Sequence, residues 1–294
     1  MNFWKVLLFL PLFGAVGCDL LDRDETIPAF LRVDSVELLG GVSGSDFCFD
    51  NKVYNVEVYI GGENIGIYAL GTDIPVFFEG TAGVEIFALV PFAGSSQVLE
   101  PHLFLQKIEF DVDFQSGLVS NFDLSASYFD GLTSYISEDF ENSPYVFTED
   151  VDEDSLSGLN VELNDFCANN HVGAFHLTDS SRLSVVTTNN IYQISNVPGN
   201  QAYLELDYFS EVNLTFSLYT FNSVNGDLGF SDLYYVNPKS DWNRLYINMT
   251  DFLQTSDADR FQLLISAELP VIDASGDTLR TGSAYLDNIR VISF

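Results

Sequence analysis

The chain has 294 residues and carries 43 acidic side chains against 11 Lys and Arg, a formal charge of −32. So acidic a polymer repels nucleic acid and anionic lipid, which excludes both as electrostatic partners. The same charge keeps a chain with 26 Phe and 14 Tyr soluble. At the N-terminus Lys5 precedes an apolar run from Val6 to Val16, followed by small residues and Cys18. That is the pattern of a secretion signal, too short to span a bilayer.

The tetrad Ala15-Val16-Gly17-Cys18 resembles the lipobox of bacterial lipoproteins. The resemblance implies a signal peptide over residues 1–17 and an acylated Cys18 carrying a diacylglycerol and an N-acyl chain, palmitate among them. Several acyl chains suffice for stable membrane anchoring. Asp19, Asp22, Asp24 and Glu25 follow, and they resemble the surface-export signal of Bacteroidota lipoproteins. The expected location is the cell-surface side of the outer membrane, with its periplasmic face as the alternative. Residues 18–28 then form a lipidated tether. Cys48 and Cys167 remain, flanked by Phe47, Phe49 and Phe166. Export permits a disulfide between them, but burial as free thiols among phenylalanines is the favoured reading.

Beyond the tether the sequence alternates apolar and polar residues in short runs broken by Gly, Asn, Asp and Ser, which predicts strands throughout. Val56–Ile60, a turn over Gly61–Asn64 and Ile65–Leu70 read as a hairpin. Val84–Val90, Leu103–Phe114 and Asn121–Phe129 are further strands. Together they predict a small β-sandwich domain over residues 29–132. The second domain, residues 133–294, offers Gly173–Leu177, Ala202–Phe209, Leu214–Phe221, Arg244–Met249, Arg260–Ser266 and Ala284–Ile292. That number of strands suits a jelly-roll β-sandwich. The fold class is therefore all-β.

Four segments of the second domain resemble carbohydrate-binding modules and galactose-binding-like jelly rolls: Glu138-Asp-Phe-Glu141, Gly173-Ala-Phe-His-Leu177, Asp241-Trp-Asn-Arg-Leu-Tyr-Ile-Asn248 and the closing Ala284-Tyr-Leu-Asp-Asn-Ile-Arg-Val291. The resemblance implies a structural Ca²⁺ held by Glu141 or Glu138 together with Asp287, since hard oxygen ligands suit that ion. Without metal, Asp287 caps a strand or turn. The Val56–Tyr68 hairpin and Ile74-Pro-Val-Phe-Phe-Glu-Gly80 look like small surface sandwiches of the PEGA type. Taken whole, the chain resembles uncharacterised two-domain lipoproteins of the Bacteroidota, which brings no activity with it.

Candidate chemistry is sparse. With 43 acids, carboxylate pairs arise by chance, so a glycosidase pair carries no signal. No Gly-x-Ser-x-Gly is present. Cys167, His171 and His176 have residue types used by zinc but a spacing unlike a finger, and His176 alternates with Phe175 and Leu177, so it should face outward. The acidic run 149–154 lacks the glycine of an EF-hand loop and reads as solvated. Sugar binding would need exposed rings, and Trp242, Tyr234 and Tyr235 are the candidates, with Tyr203 behind them. A core position for Trp242 is the favoured alternative. Asp34-Ser-Val36, Asp154-Ser-Leu156 and Asp277-Thr-Leu279 look like O-glycosylation acceptors of exported Bacteroidota proteins. The sequence therefore predicts a non-enzymatic, lipid-anchored binding or scaffold protein of the outer membrane with a protein partner, such as an accessory subunit of an assembly or secretion complex. A glycan-binding surface lipoprotein is the alternative.

Overall fold

A computed structural model describes residues 26–39, 53–91, 98–154, 156–164, 170–193, 201–224, 226, 228–255, 258–272, 276 and 278–294. Cys18, Cys48 and Cys167 lie outside them, as do Ser155 and Asp277 of the glycosylation tripeptides. Among the described residues no helix is long and apolar enough to cross a membrane.

The first half contains β1 (Ala29–Leu39), β2 (Asn55–Ile60), β3 (Glu63–Ala69), β4 (Ile74–Val76), β5 (Gly80–Pro91), β6 (Leu99–Pro101), β7 (Ile108–Phe114) and β8 (Val119–Ser127). A three-stranded sheet in the order β4-β1-β8 faces a five-stranded sheet in the order β3-β2-β5-β6, with β7 also on β5. The alternation in β2, where Val56, Val58 and Ile60 are buried, turns one face inward. Leu31, Val33, Val58, Ile86 and Phe114 fill the space between the sheets. The expected hairpin is present, but its turn is only Gly61-Gly62. Both have positive φ (60° and 83°), as a two-residue primed turn demands.

The second half contains β9 (Thr133–Glu138), β10 (Glu149–Asp150), β11 (Leu159–Asn164), β12 (Asn170–Thr178), β13 (Leu183–Thr187), β14 (Tyr192–Gln193), β15 (Ala202–Ser210), β16 (Asn213–Phe221), β17 (Leu228–Val236), β18 (Lys239–Asn248), the short helix α1 (Thr250–Thr255), β19 (Arg260–Glu268) and β20 (Thr281–Ser293). It is a jelly-roll sandwich. One sheet runs β11-β12-β20-β15-β18 with β9 also on β20, and the other runs β10-β13-β19-β16-β17 with β14 also on β19. Phe175, Leu204, Leu206, Phe216, Leu218, Leu245, Phe261, Ile265 and Leu286 pack between them. The fold is all-β, a small sandwich followed by a jelly roll.

Two expected strands are shorter than predicted. Leu103–Phe114 is strand only from Ile108, because Leu103-Phe104-Leu105 forms a turn pressed against the second half. The opening strand ends at Glu138, and Phe140 takes a positive φ of 56°. Asp139–Glu141 therefore belongs to the loop that follows.

Candidate functional site

The β15 sheet has one face toward the core and one outward. On β15, Leu204, Leu206 and Tyr208 point inward, so Tyr203, Glu205, Asp207 and Phe209 point out. On β18, Leu245 and Ile247 point inward, so Trp242, Arg244 and Tyr246 share the outer face. β20 adds Tyr285, Asp287 and Arg290 to it, and β12 adds His176. This outer face divides into a covered part and an open part.

The first half covers one part. Tyr203, Tyr246 and Ile292 belong to the same apolar cluster as the first sandwich's core. Phe104 packs edge-on to Tyr203 and to the C-terminal Phe294, with centroids 5.4 and 5.0 Å apart. At the centre, Glu205 is fully buried. It receives Arg290 Nε at 2.6 Å, His102 Nε2 at 2.6 Å, Tyr128 Oη at 3.2 Å and Arg244 Nη2 at 3.3 Å. His102 Nδ1 accepts the Phe104 N–H at 3.2 Å, which fixes the tautomer with the proton on Nε2, facing Glu205. Arg244 also bonds both oxygens of Asp207 at 3.0 and 3.1 Å, and Asn288 Nδ2 donates to Asp207 at 2.9 Å. Burial pushes the Glu205 carboxyl up, but Arg290, His102 and Arg244 outweigh it and hold it well below the usual carboxylate range. Burial raises the Tyr128 phenol well above its ordinary value, and the Glu205 charge adds to that. The cluster is a structural lock between the sandwiches, since every member is shielded from ligand.

The open part carries a row of rings. Trp242, Phe209, Tyr285 and His176 come from β18, β15, β20 and β12, four neighbouring strands. Their centroids are spaced 6.3, 5.9 and 6.0 Å, with interplanar angles of 46°, 53° and 77°. His176 is exposed and the other three are half-buried. Phe209 also lines a shallow pocket of about 270 Å³ with Ser210, Glu211, Pro238, Lys239 and Ser240. Polar groups end the row. His176 Nδ1 meets Ser283 Oγ at 2.9 Å and its Nε2 meets Glu162 at 3.0 Å.

Ser283, His176 and Glu162 have the residue types of a hydrolytic triad, but not its setting. An acyl-transfer site needs N–H donors aimed at the developing oxyanion. The Ser283 N–H is taken by Glu211 Oε2 at 3.1 Å, and the three residues lie on paired strands of an exposed sheet face. The arrangement presents hydrogen-bond donors and acceptors rather than an activated nucleophile.

The predicted ring trio is not brought together. Tyr234 packs against the jelly-roll core, Tyr235 stands on the outer face of the other sheet, and Trp242 alone joins the row. Trp242 belongs to neither apolar core, contrary to the favoured alternative. Tyr203 is buried beneath the first half. The predicted calcium ligands also lie apart in their roles. Glu138 accepts the N–H groups of Phe140 at 2.9 Å and Val146 at 2.5 Å, and burial raises its carboxyl despite them. Glu141 accepts the His171 N–H at 2.6 Å and meets its Nδ1 at 3.0 Å. Asp287 is buried and accepts the Asn288 N–H at 2.7 Å. Among the described residues no three His, Cys, Asp or Glu side chains are grouped to hold a metal. In the acidic run, Asp152 accepts from Val185 N and Asp154 N, and Asp154 accepts from Leu156 N, so these acids cap backbone. Sequence reasoning missed Phe209 and Tyr285. The usable signal was strand parity: both lie two positions from a charged residue on the same face.

No protein-family model matches the chain, and no curated protein is significantly similar to it. Solved structures similar to it include carbohydrate-binding modules. The CBM22-2 xylan-binding domain of Paenibacillus barcinonensis Xyn10C is 13% identical, covering 54% of this chain and 99% of its own, with a TM-score of 0.35. A carbohydrate-binding module of the β-sandwich superfamily is 12% identical over 80% of this chain and 83% of its own, with a TM-score of 0.36. The CBM22-1 and GH10 modules of Clostridium thermocellum xylanase 10B are 10% identical over 55% of this chain, which spans only 28% of theirs, with a TM-score of 0.38. These likenesses assign nothing to particular residues.

Proposed function

We propose that this chain is a non-catalytic glycan-binding protein, exported and held at the outer membrane by lipid on Cys18. The observation that carries the binding reading is the ring row Trp242–Phe209–Tyr285–His176 on the open part of the β15 sheet. Pyranose faces are apolar and stack on aromatic rings, while their hydroxyls need donors and acceptors at the ring edges. His176, Ser283, Glu162 and Lys239 supply such groups beside the row. A net charge of −32 turns the preference toward neutral polysaccharides.

Affinity electrophoresis of the full chain through gels containing neutral polysaccharides tests this. Retardation by at least one polymer is expected. Trp242→Ala should weaken it about tenfold, equivalent to ~1.4 kcal/mol, with the melting temperature nearly unchanged. No retardation in any neutral polymer refutes the reading.

The accessory-subunit reading keeps one observation in its favour. On the outer face of the other sheet, Tyr219 and Phe230 meet with centroids 5.5 Å apart and planes tilted by 58°, and Leu228, Phe230 and Tyr235 are exposed. Capture of a membrane protein that is lost on Phe230→Asp but kept on Trp242→Ala would favour it.

A further inference from the structure

We propose that one end of the first sandwich is a membrane-contact surface, seated on the bilayer that the Cys18 lipid enters. The proposal rests on the anchored reading above. By register, the starts of β1 and β8 and the end of β4 lie side by side: Ala29 opposes Val76, and Phe30 opposes Val119. The Gly117 N–H donates to Pro28 O at 2.9 Å and the Phe30 N–H to Leu118 O at 2.8 Å. These pairings bring Ile27, Phe77, Phe78, Leu118 and Val119 to one end of the sheet. They are 65%, 74%, 45%, 56% and 46% exposed. Large apolar side chains scattered singly on a surface need no explanation, but several grouped together mark an interaction site.

Two features choose the bilayer as the occupant. First, Cys18 precedes Thr26, the first described residue, by a stretch that reaches at most about 29 Å when fully extended. A lipid on Cys18 therefore keeps this end of the sandwich near the membrane. Second, the serine beside these apolar side chains, Ser116, is engaged within the protein. Ser116 Oγ lies within hydrogen-bond distance of Ile27 O, at 3.0 Å, and of the Glu79 carboxylate, so its one proton has an acceptor inside the protein. A hydroxyl whose hydrogen bond is already made costs less to take out of water. Phe and Leu side chains on such a face bury themselves at the boundary between headgroups and acyl chains. The chain's negative charge selects zwitterionic rather than anionic headgroups.

The test uses the acylated full chain in phosphatidylcholine vesicles whose acyl chains carry bromine, a quencher of indole. Beyond the leader, Trp242 is the single Trp, so Phe77→Trp adds one reporter at an exposed position that leaves the core untouched. We expect the Phe77→Trp emission to shift to the blue on adding vesicles and to be lost in brominated lipid, while wild-type emission stays unchanged. Acylated Phe77→Trp protein with no quenching overturns the contact surface and leaves the anchor standing. Protein without acyl mass on Cys18 overturns the anchored reading and this proposal with it. A lipid-free dimer that dissociates on Leu118→Asp would assign the surface to a second copy and overturn it equally.

Discussion

Replacing Arg290 by Met removes the closest charged partner of Glu205 while keeping most of the buried volume. Glu205 is fully buried, and Arg290 meets it through Nε at 2.6 Å and Nη2 at 2.5 Å. Arg290 also lies 4.2 Å from the Tyr128 ring centroid. Breaking a buried ion pair from one side costs about 3–5 kcal/mol, because the remaining charge is left in a poor solvent. His102 and Arg244 stay in place, so the lower end applies, about 3 kcal/mol. For a protein of this size that lowers Tm by roughly 6–12 °C. The loss depends on pH in a defined direction. Glu205 holds its proton more weakly folded than unfolded. Its contribution is complete above the ordinary glutamate value of about 4.3 and is lost as the pH falls below that toward its depressed folded value. The gap between wild type and Arg290→Met should therefore narrow below about pH 4. Calorimetry and urea titration at pH 7, 4 and 3 would read it. Adding Glu205→Leu to Arg290→Met should recover part of the stability, since an apolar pair replaces an orphaned charge. A loss under about 1 kcal/mol, or a gap that stays constant down to pH 3, would refute the buried-lock account.

Two further outcomes are expected. Cys18→Ser should abolish incorporation of labelled fatty acid and release the protein from membranes; label still entering that variant would refute the lipid assignment. EDTA followed by Ca²⁺ should leave the melting temperature unchanged, because Glu138 is committed to the Phe140 and Val146 amides and Glu141 to His171. A calcium-dependent rise that disappears in Asp287→Ala would instead establish the metal expected from the sequence.

Strand identity was legible where alternation is clean. Ala202–Phe209 falls within β15 and Arg244–Met249 matches the end of β18 to one residue, because Leu204, Leu206, Leu245 and Ile247 must share one face. The same alternation marks Tyr203, Glu205 and Asp207 as outward, and outward acids on a strand read as solvated. Their burial depends on His102, Phe104 and Tyr128, which come from a different sandwich. No local pattern encodes that contact. Leu103-Phe104-Leu105 looked like strand for the same reason, since its apolar residues serve the seam rather than a pleat. β17 escaped notice because Gly229, Ser231 and Asp232 interrupt its apolar residues on an exposed edge. The ring row was half-visible. Trp242 was singled out, but Phe209 and Tyr285 became its neighbours only through the pairing of β15 with β18 and β20.

The position of β20 bears on how the protein is made. This last strand, Thr281–Ser293, sits inside its sheet and pairs with β12, β15 and β9. The ring of Phe294, just beyond β20, closes on Phe104 and Phe129. A chain cut ahead of Thr281 would leave β12 and β15 with unpaired edges and a split core. The jelly roll thus cannot close until β20 has been made, so the late arrival of one central strand sets when both sheets and the core between them come together.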